Sequence, residues 1–183
     1  MRIVTIFATL ALLATALPAQ EMGYIKAVGS PNKAGLFVDG KYIGPAGRFT
    51  VPEKYPIAAG SHEVRLTDPR YEDFTTTVTV NPKKTTKVKF KLKKVEPAKP
   101  PYGLIKIRGG KPESFMSVVA GDIGAVYING KFYGHVDEFN NPSAGILIPP
   151  GTYEVSVESE HFTPVKQTVT VEANQTTYID LEK

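Results

Sequence analysis

The chain has 183 residues, with no cysteine, no tryptophan and a formal net charge of +4. Without cysteine there is no disulfide framework, no thiol nucleophile and no lipid anchor on a processed N-terminal cysteine, so the fold must be stabilised by burial alone.

Met1-Arg2 gives a short positive start, and Ile3 to Leu13 is an apolar run broken only by small residues. Small residues at Ala14-Thr15-Ala16 and Leu17-Pro18-Ala19 follow as cleavage sites. This order predicts a secretory signal peptide over residues 1–19, because the run is too short to span a bilayer. No later segment approaches transmembrane length, so the expected protein is exported, without a transmembrane segment, to the periplasm, the cell surface or the medium.

Beyond the leader the chain says nearly the same thing twice, about ninety residues apart, as a duplicated structural unit does. Ala34-Gly35-Leu36-Phe37-Val38-Asp39-Gly40-Lys41-Tyr42-Ile43-Gly44 returns as Gly124-Ala125-Val126-Tyr127-Ile128-Asn129-Gly130-Lys131-Phe132-Tyr133-Gly134. Gly60-Ser61-His62-Glu63-Val64 returns as Gly151-Thr152-Tyr153-Glu154-Val155, and Thr77-Val78-Thr79-Val80 as Thr168-Val169-Thr170-Val171. Asp39-Gly40 and Asn129-Gly130, flanked by apolar residues, predict two-residue type I′ hairpins, since both central positions of that turn need positive φ. Residues 63–67, 75–80 and 87–92 alternate apolar and polar with period two, which predicts strands with one face inward. Val95 to Tyr102 holds three prolines in five positions and predicts a stiff, extended linker. The second copy is longer, and the extra residues fall between Gly109 and Ile123, where Ser114 to Val119 is apolar enough to add a strand. The expected organisation is a signal peptide at 1–19, a first domain at 22–94, a linker at 95–102 and a second domain at 103–183. The expected fold is all-β, two tandem small antiparallel Ig-like sandwiches.

A leading strand, an apolar-x-apolar-Asp-Gly turn, a short return strand, a Gly-x-His/Tyr-x-Val strand and a Thr/Val-rich closing pair resemble the PEGA domain. The resemblance covers both copies. Pro31-Asn32-Lys33-Ala34 stands where the family has Pro-Glu-Gly-Ala, and Gly121-Asp122-Ile123-Gly124 occupies that place in the second copy. It implies a β-sandwich module of bacterial envelope or extracellular proteins, with no catalytic residues.

Charge is distributed unevenly. Residues 81–100 hold eight lysines against one glutamate, whereas the chain from residue 101 has six basic and ten acidic residues. Lys87, Lys89, Lys91 and Lys93 share one strand face, opposite Val88, Phe90 and Leu92. Two readings stand: a solvated edge protected against aggregation, or a basic stripe for an anionic polymer, a lipid head group or the acidic second copy; the partners this leaves are an anionic envelope polymer, a polysaccharide or another envelope protein. Nucleic acid is not an expected partner, because no nucleic-acid-binding motif accompanies the stripe.

The hairpins leave a second choice open. Across each turn Phe37 lies opposite Tyr42 and Tyr127 opposite Phe132, while Leu36, Val38 and Ile43 and their counterparts line the other face. Such pairs either stabilise a doubly covered sheet or offer Tyr127 and Phe132 as a polysaccharide or peptide platform. No Gly-x-Ser-x-Gly, His-Glu-x-x-His or phosphate-loop pattern occurs, and His62, His135 and His161 lie on separate segments. The polar run His135 to Asn141 lacks the layout of a calcium loop and reads as a loop tip. No enzyme, cofactor or metal is expected. The expected role is an envelope-associated binding or spacer module; the alternative is a carbohydrate-binding accessory protein using the hairpin aromatics.

Overall fold

A computed structural model describes residues 21–49, 53–96, 99–109, 124–140, 145–158 and 163–181. The predicted leader and the expected extra strand at 114–119 lie outside these. The first domain runs β1 (Met22–Ser30), β2 (Gly35–Val38), β3 (Lys41–Pro45), a 3-10 turn (Ala46–Phe49), β4 (Tyr55–Ala58), β5 (Gly60–Thr67), β6 (Phe74–Val80) and β7 (Thr85–Lys91). The second repeats this order as β8 (Gly103–Gly109), β9 (Ala125–Ile128), β10 (Lys131–His135), α1 (Val136–Asn140), β11 (Ile146–Ile148), β12 (Gly151–Glu158), β13 (Val165–Val171) and β14 (Thr176–Leu181). Each domain is a sandwich of a three-stranded and a four-stranded sheet, ordered β4-β1-β7 and β3-β2-β5-β6 in the first and β11-β8-β14 and β10-β9-β12-β13 in the second.

The alternating residues of facing strands fill the two cores. Ile25, Ala27, Leu36, Val38, Val64, Leu66, Val88 and Phe90 are buried in the first. Ile105, Ile107, Val126, Ile128, Val155, Val157, Ile179 and Leu181 take the same places in the second.

One pairing in each domain departs from the expected antiparallel pattern: β1 runs parallel to β7, and β8 parallel to β14. A period-two pattern reports which face is buried but not the direction of a partner. Parallel neighbours need a long crossover between them, and here the crossover is the rest of the domain. The polar run after β10 also differs from the loop expected of it. Val136–Asn140 is a single helical turn that buries Val136 and Phe139, as the 3-10 turn buries Ala46 and Phe49.

Candidate functional site

Both hairpins turn as their sequences demand, with φ of 50° at Asp39 and 80° at Gly40, and 50° at Asn129 and 73° at Gly130. The Asx side chain then ties the hairpin to a third strand: Asp39 Oδ1 accepts from the Glu63 backbone N–H at 3.0 Å, and Asn129 Oδ1 from that of Glu154 at 2.9 Å. Beside it the two copies carry different rings, His62 in the first and Tyr153 in the second. Tyr153 Oη donates to the Pro149 carbonyl at 2.8 Å. His62 Nε2 bonds the Ala58 carbonyl at 2.9 Å, and its Nδ1 meets Asp39 Oδ2 at 2.7 Å.

Both partners of His62 are acceptors, an arrangement that favours the imidazolium, which alone can donate from both ring nitrogens. The Asp39 hydrogen bond raises the His62 pKa above its ordinary value of 6.5, and the His62 hydrogen bond lowers that of Asp39 below 3.8. A raised histidine contributes stability that is full below its unfolded pKa and is lost as pH rises through the folded one; a lowered aspartate contributes stability that is lost as pH falls through its folded value. The pair is therefore strongest between about 3.8 and 6.5, and the Asp39 carboxylate is half exposed, so the loss above that window stays below about 1 kcal/mol. Copying the second domain with His62→Tyr will flatten the fall of melting temperature from pH 6 to 8. A slope unchanged by the substitution would place the titrating group elsewhere.

The second apolar face of each hairpin is turned onto the other. Phe37 and Tyr42 on the first domain, and Tyr127 and Phe132 on the second, form a single aromatic seam between the domains, with Ala125 beneath it. Phe132 is its hub. Its ring centroid lies 5.7 Å from Phe37 (edge-on), 5.7 Å from Tyr42 (stacked), 6.0 Å from Tyr127 and 5.2 Å from His135. The ring also rests on Gly35 of the first domain, where a Cβ would meet it at 2.8 Å. Phe132 and Phe37 are 2% and 3% exposed. Burial pushes the Tyr127 phenol up to about 12 and the Tyr42 phenol higher still, so both remain neutral. Phe132 is thus no surface platform, because its counterparts in the first copy cover it; the exposed aromatic row that a sugar-binding reading requires is absent from the described hairpins.

Ionic contacts flank the seam. Lys33 Nζ meets Asp137 Oδ2 at 2.9 Å, and Arg70, held by Asp68, reaches Glu138 Oε2 at 3.3 Å. Burial resists ionisation of Glu138, but the His135 hydrogen bond with the charges of Lys33, His135 and Arg70 outweighs it and holds the carboxyl below its ordinary value. His135, Asp137 and Glu138 place donor atoms within 4.8 Å of one another, yet Lys33 and Arg70 already supply the positive charge their carboxylates call for. Beside them a cavity of about 780 Å³ lies between the domains, bordered by Tyr102, Tyr133 and Leu147.

The lysine strand meets the expectation for its side chains. Lys87, Lys89 and Lys91 on β7 and Lys93 beyond it are exposed, while Val88, Phe90 and Leu92 are buried. The parallel register sets Lys26 beside Lys87 and Val28 beside Lys89. On the other flank of β1, Lys54 Nζ stands 3.6 Å above the Tyr24 ring. Lys93 pairs with Glu72 at 3.0 Å. Strands β1, β4 and β7 contain no acidic residue, and Lys26, Lys87, Lys89 and Lys91, with Lys54 just ahead of β4, lie on one outer sheet face whose strands supply no carboxylate. Sequence reasoning missed Lys26 and Lys54, because only the pairing of β1 with β7 brings Lys26 beside Lys87, and only the pairing of β1 with β4 brings Lys54 over Tyr24. The corresponding face of the second domain is neutralised: Arg108 donates to both oxygens of Asp180 at 2.8 and 2.9 Å and lies over Tyr178.

These features define a tandem of two β-sandwiches clasped through their hairpins, with one basic outer face. The chain belongs to the PEGA domain family, which matches residues 25–96 and 117–183. PEGA domains are not known as catalytic domains and are typically extracellular or periplasmic. No curated protein matches the sequence. Among solved structures the chain is similar to the Bacillus anthracis TIE protein, at 14% identity and a TM-score of 0.28, over 89% of this chain and 34% of that one. The chain thus spans about a third of that protein's length. Among the described residues no helix is long and apolar enough to cross a membrane.

Proposed function

We infer that this protein is a non-catalytic, exported module of the cell envelope that binds an anionic envelope component through the first domain, with the second domain clasped to it as a fixed extension. The observation that carries this reading is the basic face of β1, β4 and β7, whose five lysines have no acidic neighbour on any of those strands. Edge protection alone accounts for lysines on β7, since an edge strand needs charge to resist pairing. It does not account for Lys26, which lies on the central strand. The equivalent face of the second domain serves as an internal comparison, because there the same fold position carries a closed ion pair.

Purified protein will bind isolated anionic envelope fractions in a salt-dependent way, because the Debye length shortens from about 10 Å at 0.1 M to about 3 Å at 1 M. Replacing Lys87, Lys89, Lys91 and Lys93 by glutamine will weaken that binding while moving unfolding stability by no more than about 0.5 kcal/mol, as surface substitutions usually do. Binding indifferent to salt and to the four substitutions would leave the lysines with edge protection alone.

A further inference from the structure

The basic face is also apolar, in a particular pattern. Along β1 the residues that point outward with Lys26 are Met22, Tyr24 and Val28, opposite the buried Ile25 and Ala27. Met22 is 47% and Val28 42% exposed, two of the five large hydrophobic side chains left in solvent among the described residues. The antiparallel register adds Pro56 of β4 beside Tyr24. An apolar row on the central strand is therefore flanked by lysines on both sides, Lys54 on one and Lys87, Lys89 and Lys91 on the other.

We propose that this face docks on an anionic lipid bilayer, with the lysines on the headgroup phosphates and Met22 and Val28 entering the boundary between headgroups and acyl chains. The proposal rests on the anionic-partner reading above and narrows it to one partner. A soluble polyanion would neutralise the lysines and leave the apolar row in water. A bilayer interface accepts both, since lysine stems run along apolar surface while their ammonium groups reach outward to phosphate. The number of cations falls within the four to eight, roughly, that mark recognition of anionic lipid. Three adjacent strands about 4.8 Å apart also make a broad face rather than a groove, which suits a planar partner.

The test uses residues 20–183, which include every described element and omit the apolar leader that would bind bilayers by itself. Co-flotation with phosphatidylcholine vesicles is compared with co-flotation after doping with phosphatidylglycerol, and a parallel arm measures binding to long-chain polyphosphate. The expected result is binding to the doped vesicles alone among the two. Each lysine near an anionic surface contributes about fivefold, so K26Q/K87Q/K89Q/K91Q should weaken vesicle binding by on the order of a hundredfold or more. Met22→Ser with Val28→Ser, which leaves the charge unchanged, should weaken vesicle binding by about tenfold and leave polyphosphate binding as it was. If the protein binds polyphosphate but not doped vesicles, or if the serine variant binds vesicles as well as the parent, the bilayer assignment is overturned and the anionic reading survives. If it binds neither ligand, nor any envelope fraction, both fall.

Discussion

Replacing Phe132 by alanine will uncouple the two domains. The ring is almost wholly buried and touches Phe37 and Tyr42 across the seam as well as Tyr127 and His135 on its own side. Truncating a buried phenylalanine costs about 3–5 kcal/mol through lost transfer energy and the cavity left behind. Edge-to-face and stacked ring pairs add about 0.5–1.5 kcal/mol each beyond area. Most of that loss falls on contacts between domains rather than within one core. In the parent protein the two sandwiches should therefore unfold as one cooperative unit, and in Phe132→Ala they should unfold in two resolved steps, with a larger radius of gyration before the first. Gly35→Leu will produce the same separation from the opposite side, because its side chain must displace the Phe132 ring. A single sharp transition in both variants, at nearly the parent midpoint, would show that the linker and the ion pairs hold the domains without the seam.

The seam marks the boundary of what the residues reveal on their own. That both faces of each hairpin are apolar follows from Leu36-Phe37-Val38 and Val126-Tyr127-Ile128 directly, and the turns follow from Asp39-Gly40 and Asn129-Gly130 because turn chemistry is local. Which surface covers the second face is a tertiary matter. A single ring such as Phe132 reads the same whether it meets solvent or its own duplicate. The lysine strand is legible as far as β7, since period two sorts Lys87, Lys89 and Lys91 from Val88 and Phe90. Its enlargement by Lys26 and Lys54 depends on the parallel register of β1 with β7 and on the place of Lys54 beside β4, neither of which leaves a mark in the local pattern. The helical turn at Val136–Asn140 escapes for another reason: with only Val136 and Phe139 buried, it is too short to display a helical period. The equivalence of His62 and Tyr153 is visible as an aligned pair. Its cause, a ring that reaches the carbonyl four residues back, is visible only in the structure.

Arg70→Ala will be the most damaging change to an exposed side chain in the first domain. Asp68 is held in the interior, its side chain 2% exposed, although Arg70 itself is 58% exposed. The guanidinium grips the carboxylate with two prongs, Nε to Oδ1 at 2.8 Å and a terminal nitrogen to Oδ2 at 2.6 Å, and the Arg70 backbone N–H adds a third bond at 3.0 Å. Alanine keeps only the last of these. A buried charge stripped of its partner costs about 3–5 kcal/mol when water cannot replace it. Here solvent already reaches the outer side of the guanidinium, so the loss is closer to about 2 kcal/mol, the desolvation penalty of one poorly satisfied group. Lysine at the same position offers a point charge in place of a planar fork, and will recover less than half of the loss. The contact from Arg70 to Glu138 crosses to the second domain, so Glu138→Gln made alone and together with Arg70→Ala separates the two contributions. Urea midpoints should show a coupling between the two substitutions well below the cost of Arg70→Ala itself, because the Asp68 bond lies wholly within the first domain. A coupling as large as the Arg70→Ala loss would mean that Arg70 acts chiefly as an interdomain clasp, with Asp68 merely orienting it.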